Sequence, residues 1–414
     1  MKLTHLSKRD WSILMGNILD NFDSAIYGFI APIIAPLFFP NQDPVVQLIL
    51  IYALLASSLV TRPLGAFIFG SFANRKDPGK ILSVTLIGVA LLTSAIGFLP
   101  TYATAGWYAP LYLILVRLVR GLFSAGESTI AKLYILEDKS RSQSLSISHM
   151  YQSSTVLGII FASLSVTLIA HTEIPSAYWR IPFWVGSATG LVGVYLRWKK
   201  LPEKLVQKKE ELTSIRLLWT ERLGVLKIAF ANNVSQLTYG IPFVFLNTFV
   251  PLVTAITLEE MMVLNTVFLG LDMLLIPFFG KYLKRFSVKK VMFWSSAFLA
   301  LTCIPLFCFL ENSSLIYVTF IRCWIVMLGL IYLCPLNVWS LDQFSGTKKY
   351  LLIGMGNALS AGTVGRLSTA ACLFLWHETG WIWAPALYMT VFFALGAVAV
   401  WASKDSCAEH KNPS

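Results

Sequence analysis

Residues 66–80 read AFIFGSFANRKDPGK, and residues 276–290 read IPFFGKYLKRFSVKK. The two stretches share four identical residues at one offset of 210 positions: Phe69/Phe279, Gly70/Gly280, Arg75/Arg285 and Lys80/Lys290. A second pair of stretches matches at an offset of 212, which lays Asn21, Tyr27 and Gly28 on Asn233, Tyr239 and Gly240. The chain therefore contains two related halves in parallel orientation.

The composition is that of a membrane protein. Hydrophobic residues make up 56% of the 414 positions and charged residues 13%, against about 25% charged residues in soluble domains. Mean hydropathy is +0.67. At ~1.5 Å per residue we count twelve apolar segments that can cross a bilayer. These segments, called spans 1 to 12 below, are 11–37, 47–73, 80–99, 108–136, 143–170, 180–198, 226–252, 262–283, 290–310, 314–339, 348–376 and 382–402.

Basic residues mark one side of the membrane. Lys and Arg concentrate in the two termini and in loops 74–80, 137–142, 197–227, 281–290 and 341–349. In the loops on the opposite side, Arg180 is the only basic residue. We therefore place both termini of this multi-pass membrane protein in the cytoplasm. The net charge of +12 is explained by these loops, and we expect no nucleic-acid partner.

These observations predict an all-α protein with the major facilitator fold, twelve transmembrane helices in two pseudo-symmetric halves, and a binding site between them. The predicted domains are 1–198, a six-helix half; 199–225, a basic cytoplasmic linker on the inner leaflet; 226–402, the second six-helix half; and 403–414, a cytoplasmic tail.

Span 1 contains an unusual stretch, GNILDNFDSAIYG, at residues 16–28. A charge at the bilayer centre costs roughly 2.5–3.5 kcal/mol on insertion scales, so intramembrane acids usually face a cavity. Helical spacing places five polar residues on one face: Asn17, Asp20, Asp23, Ser24 and Tyr27. At least one carboxylate is expected to bind a proton or a cation. The alternative is that both acids pair with buried bases and stabilise the fold.

Three further spans have polar faces. On span 4 the shared face comprises Arg117, Arg120, Gly121, Ser124, Glu127, Ser128 and Tyr134. We interpret Glu127 as a proton carrier and Arg117 as a structural anchor. Span 5 contributes Gln152. Span 7 presents a neutral face, expected to orient a polar solute, with Asn232, Gln236 and Tyr239.

Gly70, Arg75 and Lys80 suggest a conformational latch. Gly70 permits a tight exit from span 2, and the two cations can bind acidic groups or helix C-termini on the cytoplasmic side. No GxxxxGK[ST], GxSxG, HExxH or zinc-ligand spacing occurs. We therefore expect no ATP hydrolysis, no enzymatic activity, no cofactor and no metal.

At the level of motifs the chain resembles the metabolite:proton symporters of the major facilitator superfamily, which include proline/betaine and organic-acid transporters. The matching residues are Gly16-Asn17, Phe22-Asp23, Tyr27-Gly28, Arg62-Pro63-Leu64-Gly65-Ala66, Arg117, Gly121, Gly126-Glu127, Gln152, Gly158, Trp179-Arg180-Ile181-Pro182-Phe183 and Leu196-Arg197. The resemblance covers the N-terminal half almost throughout and is looser beyond it. The chain departs from the family pattern at Asp20-Asn21, at Asn74 and at Arg120, where the family usually has Glu-Trp, an acid and Gln.

The sequence hypothesis is a secondary active transporter that carries a small polar organic solute with a proton by alternating access. Asp23, Glu127 and Asp20 are the predicted proton-coupling residues. The predicted substrate-binding residues are Asn17, Tyr27, Arg120, Gln152, Asn232, Gln236 and Tyr239. The partners are the solute, protons and the bilayer, and the chain is expected to function as a monomer.

Two alternatives are a proton-independent exchanger or facilitator of the same fold and a non-transporting membrane sensor. The substrate also stays open, because acids in span 1 suit protons or cations whereas four basic residues suit carboxylates: Arg120, Lys132, Arg322 and Arg366.

Overall fold

A computed structural model describes residues 8–54, 58–75, 78–136, 141–187, 219–283, 286–344 and 349–403. These ranges contain helices and loops and no strand. The α-helices are Lys8–Phe38, Pro44–Ala53, Ser58–Arg75, Pro78–Gly97, Tyr102–Ala105, Tyr108–Leu136, Arg141–Ala170, Pro175–Tyr178, Arg222–Gly240, Leu246–Val253, Leu258–Tyr282, Val288–Cys308, Leu315–Asp342, Lys349–Ser360, Arg366–Thr379 and Ala384–Trp401.

The predicted all-α fold class is confirmed, and each predicted span coincides with helix over most of its described residues. Nine helical stretches of the described chain are long and apolar enough to cross a membrane. Span 2 corresponds to Pro44–Ala53 followed by Ser58–Arg75, and span 8 to Leu258–Tyr282. Span 6 is described over its first part, where residues 181–187 are helical.

Spans 7 and 11 each contain a short π-helical segment, at Ile241–Phe245 and Ala361–Gly365. Such insertions widen a helix by one residue per turn and often occur at functional sites. Pro242 lies in the first segment and cannot donate a backbone hydrogen bond. The second segment contacts the helix Arg222–Gly240. The polar part of span 7 is thus packed beside the irregular part of span 11.

The chain divides into two compact units, Met1–Glu210 with Asn265–Met273, and Glu211–Leu264 with Leu274–Ser414. In the first unit, span 1 packs on span 5, and span 4 packs on spans 2 and 3. In the second, span 9 packs on span 12, and span 7 on both span 11 and span 12. The predicted domain bounds, and the linker that falls largely outside the described residues, stay predictions.

Glycines set the closest helix contacts of the first unit. A Cβ built on Gly65 of span 2 would overlap the carbonyl oxygen of Leu122 in span 4. A Cβ on Gly158 of span 5 would overlap the carbonyl oxygen of Ile18 in span 1. Small residues at helix crossings permit this backbone approach within membranes. The helices that contain the polar faces are therefore held closely together.

Candidate functional site

Three buried carboxylates lie in the first unit. Asp20 and Asp23 project from span 1 and Glu127 from span 4, and their exposed fractions are 5%, 3% and 1%. Each accepts a hydrogen bond from a hydroxyl group of a neighbouring helix. The structure thus collects the three predicted proton-coupling residues inside one helical unit.

Asp23 is connected to Arg120 through Thr93 of span 3. The Arg120 Nε donates to Thr93 Oγ1 at 3.0 Å, and Thr93 Oγ1 donates to Asp23 Oδ2 at 3.1 Å. All three side chains are buried. Within the described residues, the second carboxylate oxygen of Asp23 and one terminal nitrogen of Arg120 have no hydrogen-bond partner.

A glycine covers the unpartnered Asp23 oxygen. A Cβ built on Gly186 of span 6 would overlap Asp23 Oδ1 and would lie 3.1 Å from the ring of Phe22. This oxygen therefore has no room for a solute's ammonium group. A proton needs no such room, so the geometry suits protonation of Asp23.

Asp20 lies in the most crowded charge environment. Its Oδ1 accepts from Ser124 Oγ at 2.9 Å. Arg120, Glu127 and Arg62 all lie near enough to interact with it electrostatically. Arg62 comes from span 2, and folding brings it near Asp20. Since a buried acid is stabilised by nearby cations, Asp20 has more of this support than Asp23.

Glu127 is bound from span 3. Thr85 Oγ1 donates to Glu127 Oε2 at 2.8 Å, and both residues are buried. Span 3 therefore supplies hydroxyl groups to two carboxylates, through Thr85 and Thr93. Eight residues separate these threonines, about two helical turns, so both lie on one face of span 3.

Tyr27 and Arg117 pack on each other. The Arg117 guanidinium carbon lies 3.8 Å from the centroid of the Tyr27 ring, a cation–π contact. The Tyr27 hydroxyl donates to the Ile51 carbonyl at 3.1 Å, and Tyr52 returns a bond to the Gly28 carbonyl at 3.0 Å. This packing agrees with Arg117 as an anchor. Tyr27, predicted to bind substrate, is fully buried and makes these contacts within the protein.

The predicted amide ligands of the first unit differ in what they contact. Asn17 is buried, and its Nδ2 atom lies within hydrogen-bond distance of Tyr151 O, Ser154 Oγ and Thr155 Oγ1. It therefore connects span 1 to span 5. Gln152 is half-buried and makes no hydrogen bond within the described part of the chain. Of these two amides, Gln152 is the one whose polar atoms are available to a solute.

The second unit holds the predicted neutral face of span 7. Asn232, Gln236 and Tyr239 are all half-buried. Asn232 donates to the Ile228 carbonyl of its own helix at 2.9 Å, and the Tyr239 ring lies 5.4 Å from that of Phe243. Gln236 lies against the π-helical segment of span 11, because a Cβ on Gly365 would lie 2.6 Å from Gln236 Oε1.

Two buried residues of the second unit bind each other. Arg322 of span 10 has no exposed surface, and its guanidinium donates to Asn247 Oδ1 at 2.6 Å. A longer bond reaches the Met261 carbonyl at 3.4 Å. Asn247 Nδ2 in turn donates to the Phe243 carbonyl at 2.7 Å. Arg322, which suits a carboxylate by its charge, is bound here by neutral groups.

The expected exit at Gly70 is wrong. Gly70 lies inside the helix Ser58–Arg75, which continues for five residues beyond it. A single glycine lowers helix stability by about 1 kcal/mol, which is not enough to end a helix. The next proline, Pro78, lies beyond the end of this helix. Lys80 is exposed near the start of the next helix, and the Arg75 side chain lies outside the described residues. The latch function of the three residues stays a prediction.

Sequence reasoning missed four residues of this site: Arg62 as a neighbour of Asp20, the hydroxyl donors Thr85 and Thr93, and Gly186. Spacing gave no signal for the threonines, since helical hydroxyls commonly bond their own backbone.

In the described residues no group of three or more His, Cys, Asp or Glu side chains is placed to hold a metal ion.

Comparison with known proteins identifies the family. The model of the family described as "Sugar (and other) transporter" matches residues 11–220. The proline/betaine transporter of Salmonella typhimurium is 26% identical, with 95% of this chain and 82% of that protein covered. A glycine betaine/proline/ectoine/pipecolic acid transporter of Dickeya dadantii is also 26% identical, with 94% and 82% covered.

Among solved structures, the crystal structure of a D-xylose-proton symporter superimposes with a TM-score of 0.75 at 13% identity, over 97% of this chain and 98% of that one. At this identity the match shows the major facilitator fold alone. Together with the helical spans and the family match, it makes this protein a multi-pass membrane transporter and not an enzyme. The chain therefore belongs to the sugar (and other) transporter family of the major facilitator superfamily.

Proposed function

We propose that this transporter carries a small polar organic solute together with a proton by alternating access. The observation that carries the proposal is the buried Asp23 carboxylate, whose Oδ1 atom has no partner within the described residues and is covered by Gly186. A buried ionised oxygen without a partner is costly, and protonation removes that cost. Acids in such positions commonly belong to proton pathways in transporters.

The three acids take graded roles in this proposal. Asp23 is the principal proton carrier, because its second oxygen has no hydrogen-bond partner among the described residues. Glu127 is the next candidate, since it is buried and its bond to Thr85 is compatible with either protonation state. Asp20 lies near Arg62 and Arg120 and accepts from Ser124, and so we assign it mainly the role of holding these cations in place.

The solute is proposed to be a zwitterion of the proline or betaine type. The names of the two bacterial relatives support this class. Arg120 has a buried terminal nitrogen with no hydrogen-bond partner among the described residues, and we propose that it binds the solute carboxylate when alternating access opens the site. Gln152 and Gln236 supply amides in their respective units. An organic acid, which needs mainly the cations, is the competing substrate class. Asn17, Tyr27, Asn232 and Tyr239 are proposed to shape the site around these ligands.

The protein is proposed to function as a monomer in a bacterial inner membrane, with both termini in the cytoplasm. The bacterial origin of the relatives and the basic loops support this placement. Gly70, Arg75 and Lys80 are proposed to stabilise one of the two access states from the cytoplasmic side. No cofactor and no nucleic acid enters the proposed cycle.

Uptake by purified protein in proteoliposomes tests the proposal. Radiolabelled proline, glycine betaine, citrate and 2-oxoglutarate are supplied with and without an inward proton gradient. We expect the gradient to concentrate a zwitterion inside the vesicles. Equal accumulation under both conditions, with counterflow intact, would instead select the exchanger or facilitator. Accumulation of the acids alone would replace the zwitterion by an organic acid.

The role of Arg120 is tested by the melting temperature of the protein with the same compounds. A ligand that binds only the folded state raises that temperature. We expect the increase to be lost in Arg120→Gln and retained in Lys227→Gln, since Lys227 only donates to the Ala402 carbonyl.

A further inference from the structure

We propose that Thr93 is a positioning residue for proton coupling, which links the solute-binding cation Arg120 to the protonatable acid Asp23. The inference rests on the proposed function and assigns to span 3 a role that its sequence does not suggest. It starts from the two hydrogen bonds that converge on the Thr93 hydroxyl.

The hydroxyl replaces a direct ion pair. Thr93 accepts from Arg120 Nε and donates to Asp23 Oδ2, at 3.0 and 3.1 Å. A hydroxyl has one proton and two lone pairs, so it can make both bonds at once. Because a cation polarises it, its bond to the carboxylate is strengthened. Arg120 thus acts on Asp23 in two ways: directly, by its charge, and through the two hydrogen bonds of the Thr93 hydroxyl. Removal of Thr93 Oγ1 would break both bonds.

Within the part of the chain that the structure describes, this geometry leaves each charged group one atom without a hydrogen-bond partner: a terminal nitrogen of Arg120 and Oδ1 of Asp23. When Oδ1 takes a proton, the carboxylate charge goes from −1 to 0, and Oδ2 becomes a carbonyl oxygen that still accepts from Thr93. Protonation therefore requires no break in the chain of bonds to Arg120. If Arg120 instead bound both oxygens of Asp23 directly, one of those two bonds would have to break before Asp23 could be protonated.

Coupling follows from the same connection. When a solute carboxylate binds the free nitrogen of Arg120, it competes for the guanidinium charge. The Arg120 to Thr93 to Asp23 interaction then weakens, which favours the neutral form of Asp23. By thermodynamic linkage, protonation of Asp23 must in turn favour solute binding at Arg120.

Of the groups near Asp23, Thr93 is the one whose substitution removes a hydrogen bond without changing a charge. The charged groups that act on Asp23 are Arg120 of span 4 and Asp20 of its own helix. Span 6 brings Gly186 against it, and Arg62 of span 2 acts on Asp20. Changing any of these charges alters the field directly. Thr93→Val removes one hydroxyl and keeps the volume and branching of the side chain.

Infrared difference spectroscopy of the purified full-length protein gives a test that needs no known substrate. The band of the protonated Asp23 carboxyl is assigned by its loss in Asp23→Asn and followed with pH. A hydroxyl donor favours the ionised carboxylate. We expect the titration midpoint of Thr93→Val to move upward by about 0.5–1 pH unit, corresponding to one net hydrogen bond. Thr93→Ser, which keeps the hydroxyl, should titrate like the parent.

Ser83→Ala is the matched control, because Ser83 lies on the same helix and, among the described residues, its hydroxyl bonds only the Gly79 carbonyl. Its midpoint should equal that of the parent. Equal midpoints in Thr93→Val and the parent would overturn the proposal, as would an equal displacement in Thr93→Ser. Should Thr93→Val fail to fold, Thr93→Ala removes the same hydroxyl without the branched bulk and is expected to give the same upward displacement.

Uptake separates this inference from the proposed function. Proton-driven accumulation of radiolabelled proline and glycine betaine is measured in the parent and the Thr93 variants. If the parent shows no proton-driven accumulation, the proposed function fails. If the parent accumulates solute and its pH profile is unchanged in Thr93→Val, the positioning role of Thr93 fails alone.

Discussion

At the scale of single residues, the acids of the first unit are held by hydroxyl groups. Ser124, Thr93 and Thr85 each donate to one carboxylate, and Arg120 reaches Asp23 through one of them. A hydroxyl donor brings no opposite charge to a buried carboxylate, so it stabilises the ionised form less than a direct ion pair does. Small changes in the surroundings of Asp23 can therefore shift its protonation equilibrium.

Asp23→Asn is expected to separate proton coupling from solute movement. The amide keeps the size of the carboxylate, and its oxygen can still accept from Thr93, but it cannot be protonated and deprotonated at physiological pH. Gradient-driven accumulation should fall to simple equilibration while solute counterflow persists. Asp43→Asn is the control, since Asp43 is exposed and only caps a helix by accepting from Val45 N at 2.9 Å. Full accumulation by Asp23→Asn would exclude Asp23 as the proton carrier.

The acids themselves could be predicted from the sequence, because charges inside apolar spans are conspicuous. Their donors could not. Thr85 and Thr93 lie in an ordinary apolar span, and which helix lies beside span 1 is a property of the tertiary fold. Arg62 was equally visible as a charge, but its proximity to Asp20 depends on the packing of span 2 against span 4. The need for a glycine at position 186 is visible only in the structure, where Asp23 packs against it.

At the scale of helices, glycines and irregular segments set the geometry. Gly158 and Gly65 allow backbones to approach where spans 1 and 5, and spans 2 and 4, cross. At Gly121 and Gly126 of span 4, by contrast, a Cβ would meet side chains, those of Thr61 and Phe69. The π-helical segments were not predicted, although Pro242 in span 7 and the pair Gly362 and Gly365 in span 11 stood there as signals.

Gly158→Ala is expected to destabilise the protein by about 1–3 kcal/mol, the usual cost of overpacking, because its methyl would overlap the Ile18 carbonyl. Unfolding in mixed micelles measures the change. Gly270→Ala is the matched control: Gly270 also lies within a helix, but a Cβ there meets nothing within 4 Å. That variant should keep or slightly raise the stability, since alanine favours helix. Equal losses in both variants would mean that the contact with Ile18 is unimportant.

A double-mutant cycle is expected to reveal coupling between Asn247 and Arg322. Of the hydrogen bonds that Arg322 makes within the described residues, Asn247→Leu leaves the buried guanidinium only the long one to the Met261 carbonyl, and should cost about 2–4 kcal/mol. Arg322→Met removes the charge as well as the bond. The double variant should therefore lose at least about 1 kcal/mol less than the sum of the two single losses. Strict additivity in the same unfolding assay would show that the two side chains stabilise the protein independently.

At the scale of the whole molecule, the repeat at an offset of 210 residues and the alternation of loop charges were sufficient to predict the fold. The match to a D-xylose-proton symporter at 13% identity illustrates why: the architecture persists when few residues are shared. The substrate is a different matter, because it depends on a few side chains whose placement no repeat specifies. Residues such as Gln152 and Gln236 entered the prediction by helical spacing alone.

The charge asymmetry of the loops predicts that both termini lie on the cytoplasmic side. An epitope tag at either end should resist protease added to intact spheroplasts and be cleaved once the membrane is opened. A tag inserted after Asn41, in a loop without Lys or Arg, should show the opposite behaviour. Cleavage of a terminal tag in intact spheroplasts would reverse the predicted orientation.

Proton movement driven by solute tests the central claim most directly. Proteoliposomes with equal pH on both sides, made permeable to potassium by valinomycin, receive external proline or glycine betaine, and the external pH is followed in weak buffer. Symport predicts that the medium becomes more alkaline as solute and proton enter together, and that this signal disappears in Asp23→Asn. Solute entry with no change of external pH in the parent protein would contradict the account.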